Sequence, residues 1–143
     1  MTPTHAELTA TLRAAGCVFA EDEATILLDA AGDLDSMVAR RVAGEPLEVV
    51  VGWASFCGLR IEIDPGVFVP RRRTELLVQE ALRIAPARPV VLVDLCCGSG
   101  ALGVALASAL PSVSLYAADV EPAAVRPTPR AAARRVRPPH RRA

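Results

Sequence analysis

The feature that most constrains the fold is an apolar run followed by a glycine-rich turn, a helical pattern and a second strand-like run. Val90–Val93 is continuously apolar, Ala101–Leu110 reads as a helix that ends before Pro111, and Val113–Ala118 is again strand-like. A short continuous apolar run is typical of a parallel strand that is buried on both faces. Parallel strands need a crossover connection, usually a helix. The segment therefore predicts a βαβ unit and an α/β fold.

The turn after the first strand carries Asp94, Cys96, Gly98, Gly100 and Gly103. Glycines let a ligand approach the backbone closely, and a helix start offers free N–H groups to an anionic group. Asp119 ends the second strand, where a carboxylate can accept both hydroxyl hydrogens of a ribose. Together these features predict a nucleoside-cofactor site at the carboxyl ends of the strands. The alternative is a plain glycine turn with a surface acid.

The position of Asp94 discriminates between two cofactors. Gly98, Gly100 and Gly103 spell the GxGxxG pattern of dinucleotide sites. In those sites the first glycine follows the strand closely, whereas here Asp94 ends the strand and three residues intervene. A carboxylate at this place attracts the ammonium and sulfonium groups of S-adenosylmethionine and repels a pyrophosphate. We therefore expect the loop and Asp119 to bind S-adenosylmethionine rather than NAD.

The first fifty residues predict three helices. Thr4 and Glu7 form a capping-box pattern, an acidic run at 21–23 suits the start of a second helix, and a third begins at about Asp33. Glycines at 16, 32 and 44 end them. The apolar stripes of these helices are predicted to be packing faces: Leu8, Leu12 and Ala15; Ala24, Leu27, Leu28 and Ala31; Leu34, Met37, Val38 and Val42.

The next thirty residues change to strand-like alternation. Leu59, Ile61 and Ile63 alternate with polar residues and, with Trp53–Cys57, predict a hairpin that turns at Gly58. Residues 64–66 predict a turn, 67–70 a short extended piece and 74–84 a helix.

Composition excludes several classes of protein. The four cysteines, at 17, 57, 96 and 97, lack CxxC spacing and there are two histidines, so we expect no metal site. The N-terminus lacks the pattern of a secretory signal, and no apolar run is long enough to span a membrane. We therefore expect a reduced, cytoplasmic protein with no membrane partner.

Several stretches carry a family resemblance in their order and spacing. They are RRVAGEPL at 40–47, Gly52, FCGL at 56–59, VPRRRTELLV at 69–78 and VDLCCGSG at 93–100. Residues 40–125 resemble the protein-(glutamine) methyltransferases, cytosolic enzymes that methylate the glutamine amide of peptide chain release factors. The resemblance implies a class I S-adenosylmethionine-dependent methyltransferase (Rossmann-like) fold. It also implies a release factor as protein partner, docked by the N-terminal helical region.

The sequence departs from the family pattern at three places. Cys96 stands where the family has glycine, close to where the methionine moiety would lie, and Arg72-Arg73 stand where it has Pro-Glu. Arg71, Arg72 and Arg73 are interpreted either as a solvated turn or as a cluster that orients an acidic partner. The family's catalytic Asn-Pro-Pro-Tyr motif is absent, and the sequence contains no Asn. We therefore assign no catalytic residue and expect the chain as printed to be inactive in methyl transfer.

The last eighteen residues, 126–143, differ from the rest in composition. Fifteen are Arg, Pro or Ala and none is acidic, which predicts a disordered tail. One interpretation is a basic arm that contacts RNA. The other is a frameshift after about codon 125, which the break in the βαβ pattern favours.

These observations predict four regions. Residues 1–52 form a helical substrate-docking region, 53–73 a β-hairpin and linker, 74–125 the first βαβ of an incomplete methyltransferase domain, and 126–143 the tail. Two other functions stay open: another class I methyltransferase that acts on RNA or protein, and a non-catalytic partner-docking fragment.

Overall fold

The computed structural model describes residues 3–124 and, within the basic tail, only the backbone of Arg134–Arg135. Apart from these two residues, the tail lies outside the described residues, and its disorder stays a prediction there. Contacts within the chain divide it into two compact units, with the boundary between Gly52 and Trp53. Each unit is described by itself below.

The first unit contains four helices: α1 (His5–Ala14), α2 (Ala20–Asp29), α3 (Leu34–Val42) and α4 (Leu47–Val51). The capping box at the start of α1 is confirmed. The Thr4 hydroxyl accepts a hydrogen bond from the Glu7 N–H at 3.3 Å, and the Glu7 carboxylate accepts one from the Thr4 N–H at 2.7 Å. Asp33 caps α3 by accepting from the Ser36 N–H at 3.2 Å. The sequence pattern did not predict α4.

The core of the first unit is formed largely by the predicted stripes, with three corrections. The buried cluster is Leu8, Leu12, Cys17, Ala20, Ala24, Leu27, Met37 and Val50. Ala15, Ala31 and Val42 were predicted to be buried and are exposed. The two alanines lie past the helix whose stripe they were assigned to, because α1 ends at Ala14 and α2 at Asp29. Val42 is the last residue of α3 and is 43% exposed.

Two arginines at the end of α3 stabilise residues 40–47, one of the stretches that carry the family resemblance. Arg40 binds both oxygens of Glu45, at 2.7 and 2.5 Å, and donates to the Val49 and Val50 carbonyls at 3.4 Å. Arg41 binds both oxygens of the buried Glu23, at 2.6 and 3.1 Å. Part of the family resemblance therefore reflects a structural turn between α3 and α4.

The described part of the second unit contains two small sheets and two helices. The first sheet pairs β1 (Trp53–Phe56), β2 (Leu59–Glu62) and β5 (Arg134–Arg135) in that order, all antiparallel. A 3-10 turn at Arg72–Thr74 leads into α5 (Glu75–Ile84). The second sheet pairs β3 (Val90–Leu95) with β4 (Val113–Ala118) in parallel, joined by α6 (Ala101–Ala109). The predicted hairpin and βαβ unit are both confirmed.

The hairpin turn is made of two residues with left-handed backbone. Phe56 pairs with Leu59, and the φ angles of Cys57 and Gly58 are 49° and 72°. Two left-handed residues are typical of the type I′ turn, whose twist matches that of the flanking strands. The apolar side of the hairpin (Ala54, Phe56, Leu59 and Ile61) is buried.

The β3–β4 sheet has one exposed apolar face within the described residues. Val91, Val93, Leu95 and Tyr116 are 69%, 56%, 71% and 64% exposed. The expectation that β3 is buried on both faces is therefore wrong for this part of the chain, because α6 lies against one face only. Residues 121–124 form a turn, in which the Ala124 N–H donates to the Glu121 carbonyl at 3.0 Å.

Candidate cofactor site

The glycine-rich loop lies across the carboxyl ends of β3 and β4. Because the two strands are parallel and in register from Val90–Val113 to Leu95–Ala118, they end at the same edge of the sheet. The Cys97 N–H donates to the Ala118 carbonyl at 3.1 Å, and the Gly100 N–H donates to the Cys97 carbonyl at 2.7 Å. This edge is where open α/β sheets bind their ligands.

Three of the five loop residues from 96 to 100 have left-handed backbone. The φ angles are 58° at Cys96, 52° at Gly98 and 71° at Gly100. Glycine adopts this region freely, whereas a side chain there costs about 1 kcal/mol or more. Cys96, which is exposed, therefore occupies a position for which the backbone favours glycine.

Asp119 binds the glycine loop from the end of β4. Its Oδ2 accepts from the Gly98 N–H at 2.8 Å, and its Oδ1 accepts from the Glu121 N–H at 2.9 Å. These two backbone bonds, the one from Glu121 foremost, hold the pKa of the Asp119 carboxyl below its ordinary value. The side chain predicted to hold a ribose thus also holds the loop. Each carboxylate oxygen can accept more than one hydrogen bond, so ribose hydroxyls could still be bound.

Asp94 lies half-buried beside the same loop. Its Oδ2 accepts from the Gly103 N–H at the first turn of α6, at 2.9 Å. Burial raises the pKa of the Asp94 carboxyl, the Gly103 hydrogen bond opposes that rise, and the negative charge of Asp119 adds to it. A positively charged ligand near Asp94 would offset both the burial and the repulsion.

Two glycines shape the space around Asp94. A Cβ on Gly103 would lie 2.9 Å from Asp94 Oδ2 and 3.0 Å from Leu115 Cδ1, so glycine lets α6 approach both strands. A Cβ on Gly100 would meet no atom within 4 Å among the described residues. The loop is therefore packed on its Gly103 side and open at Gly100, as a ligand cradle must be.

Phe68 borders the loop, although the sequence pattern did not indicate it. Its Cβ and its carbonyl oxygen lie 3.9 Å from the position of a Cβ on Gly98. Phe68 is 64% exposed, and the Arg71 guanidinium lies 5.6 Å from the centroid of its ring. Of the three predicted arginines, Arg71 is thus placed beside an aromatic ring near the loop. Arg72 and Arg73 are exposed in the 3-10 turn.

Other kinds of site receive no support from the residues that the structure describes. Cys97 is buried, which raises the pKa of its thiol. Between Pro3 and Ala124 no three His, Cys, Asp or Glu side chains are grouped so that they could hold a metal ion. In the same part of the chain, no helix is long and apolar enough to cross a membrane.

A parallel βαβ unit, a glycine loop across its strand ends and an acid after the second strand together define an incomplete class I methyltransferase fold. The family model described as methyltransferase small domain matches residues 58–137, more than half of the chain. The chain therefore belongs to the methyltransferase small domain family.

Curated relatives carry a more specific name. The chain is 44% identical over 89 residues to the release factor glutamine methyltransferase of Geobacter sulfurreducens, covering 62% of this chain and 31% of the relative. It is 41% identical over 97 residues to that of Mycolicibacterium smegmatis, covering 68% and 34%. It is 39% identical over 92 residues to that of Escherichia coli, covering 64% and 33%. These matches confirm the family resemblance inferred from the sequence. The chain spans about a third of the length of these relatives.

Proposed function

We propose that this chain carries the S-adenosylmethionine-binding part of a release factor glutamine methyltransferase. The names of the relatives support the reaction class. The observation that carries the proposal is the hydrogen bond that Asp119 accepts from the Gly98 N–H, in the loop between the half-buried Asp94 and its hydrogen-bond donor Gly103. Two carboxylates at the ends of parallel strands suit a ligand that has both hydroxyl groups and a positive charge.

The residues of the loop fit this ligand. Asp94 would face the methionine ammonium, because a cation there relieves the cost of its burial and of the nearby Asp119 charge. Asp119 would accept from the ribose hydroxyls while it keeps its bonds to the loop. Gly98 and Gly100 would let the ligand approach the backbone, and Cys96 lies exposed in the same loop. When bound, S-adenosylmethionine supplies a methyl group on a positively charged sulfur.

The protein substrate is proposed to be a peptide chain release factor, which the helical unit at residues 1–52 would dock in the cytoplasm. Its glutamine side chain would receive the methyl group. Arg71, beside Phe68, is the predicted arginine best placed to contact a substrate near the loop. The sequence contains no Asn for the amide-holding motif implied by the family resemblance. We therefore propose that the chain as printed binds the cofactor without transferring its methyl group. Without residues that hold the substrate amide in position, the rate of methyl transfer falls steeply.

The test is equilibrium binding of radiolabelled S-adenosylmethionine to the full chain. Asp119→Ala should weaken binding about tenfold or more, because it removes charge-assisted bonds to the loop and to the ligand. Glu121→Ala is the matched control, since only the backbone N–H of Glu121 contacts Asp119. Equal affinity of the two variants would refute the site. Release factor methylation by the wild-type chain would refute the proposed inactivity.

A further inference from the structure

The turn of the β1–β2 hairpin is tied to the start of α5 by one side chain. Glu75 Oε1 accepts a hydrogen bond of 3.0 Å from the Cys57 backbone N–H. In a four-residue turn the internal bond joins the first carbonyl and the last N–H, here those of Phe56 and Leu59. The Cys57 N–H takes no part in that bond. Glu75 therefore satisfies a donor that the turn leaves available.

The chain between Cys57 and Glu75 includes the segment that borders the cofactor loop. Within it, the Val67 N–H donates to the Asp64 carbonyl at 3.1 Å, closing the turn that precedes Phe68. The 3-10 turn after Phe68 leads directly into Glu75. The hydrogen bond from Cys57 to Glu75 thus closes a loop of residues that places Phe68 beside Gly98.

We propose that Glu75 is a positioning residue for the cofactor site. It holds segment 64–71 beside the glycine loop through its hydrogen bond to the hairpin turn. Its carboxylate bonds the hairpin and not the glycine loop, so it acts through the backbone. The proposal rests on the proposed function only for the identity of the ligand.

Packing also anchors the segment, which sets the size of the expected effect. Ile63 and Val67 are buried on either side of the turn. Loss of the Glu75 hydrogen bond should therefore make segment 64–71 more mobile without unfolding it. We expect amide hydrogen exchange in residues 57–59 and 64–71 to accelerate about tenfold, as loss of one bond to a charged acceptor predicts.

The experiment compares variants of the full chain by hydrogen exchange and by titration with S-adenosylmethionine. Glu75→Ala removes the acceptor, and Glu75→Gln keeps an acceptor oxygen. Glu80→Ala is the control on the same helix, because Glu80 pairs with the exposed Arg83. Glu75→Ala should show the faster exchange and about three- to tenfold weaker binding. Glu75→Gln should lie between Glu75→Ala and wild type, because its acceptor oxygen is neutral, and Glu80→Ala should stay close to wild type.

The outcomes are separable. Equal exchange rates in Glu75→Ala and Glu80→Ala would overturn the positioning role. Exchange in Glu75→Gln as fast as in Glu75→Ala would overturn it too. If the wild-type chain binds no S-adenosylmethionine, the proposed function fails and the exchange data alone decide the role of Glu75. Should Glu75→Ala fail to fold, Glu75→Asp replaces it, because its shorter side chain withdraws the carboxylate from Cys57. Exchange in Glu75→Asp equal to that in Glu75→Gln would then overturn the proposal.

Discussion

The Asp94→Asn variant should be at least as stable as the wild-type protein when no ligand is bound, and it should bind the proposed cofactor more weakly. Asp94 is half-buried near a second carboxylate, and its pKa is raised, by burial first. The ionised side chain is therefore disfavoured in the folded state. Asn keeps an oxygen that can accept from the Gly103 N–H, which now lies 2.9 Å from Asp94 Oδ2.

The size of the effect follows from these contacts. Exchanging a charged for a neutral acceptor costs about 1 kcal/mol at the Gly103 bond. Because the pKa is raised, the relief of burial and of repulsion exceeds that cost. Asp94→Asn should therefore raise the free energy of unfolding by zero to about 1 kcal/mol at pH 7. Affinity for S-adenosylmethionine should fall about tenfold, since the ammonium that is proposed to face Asp94 loses its carboxylate partner.

The pH dependence has a definite sign. A raised pKa in the folded state favours the protonated form, so Asp94 stabilises the fold at low pH and loses that contribution as pH rises through its folded pKa. The stability gain of Asp94→Asn over wild type should therefore grow with rising pH. Urea unfolding from pH 4 to 8 and cofactor titration measure both effects, with Glu121→Gln as a neutralised surface control. A less stable Asp94→Asn that binds the cofactor normally would refute the reasoning.

Two further predictions concern stability and association. Glu23→Ala should lower the free energy of unfolding by about 2–3 kcal/mol in urea titration, because it leaves the mostly buried Arg41 without its carboxylate. An effect no larger than that of Glu80→Ala, an exposed pair, would contradict this. Val93→Thr should reduce binding of a hydrophobic dye and self-association in sedimentation, because Val93 lies on the exposed apolar face of β3 and β4. Unchanged dye binding would show that this face is not exposed in solution.

Some of this structure follows from residues that are close neighbours in sequence. The capping box of α1 needs only Thr4 and Glu7, three residues apart. The hairpin follows from alternating apolar residues around a turn that tolerates left-handed backbone. In contrast, the apolar residues of α4 do not show a helical period, and this short helix is held by Arg40, which donates to the carbonyls of Val49 and Val50. That contact comes from another helix.

The candidate site divides in the same way. Asp94, the glycines and Asp119 could be predicted from the sequence alone, because a strand, a turn and a helix that follow one another place them at one edge of a parallel sheet. The contacts that hold these residues in position could not be predicted in this way. The bonds from Gly98 to Asp119 and from Cys57 to Glu75, and the approach of Phe68 to Gly98, join residues eighteen to thirty positions apart. Local pattern carries no information on such contacts, since they depend on how separate elements pack, and only the tertiary structure decided them.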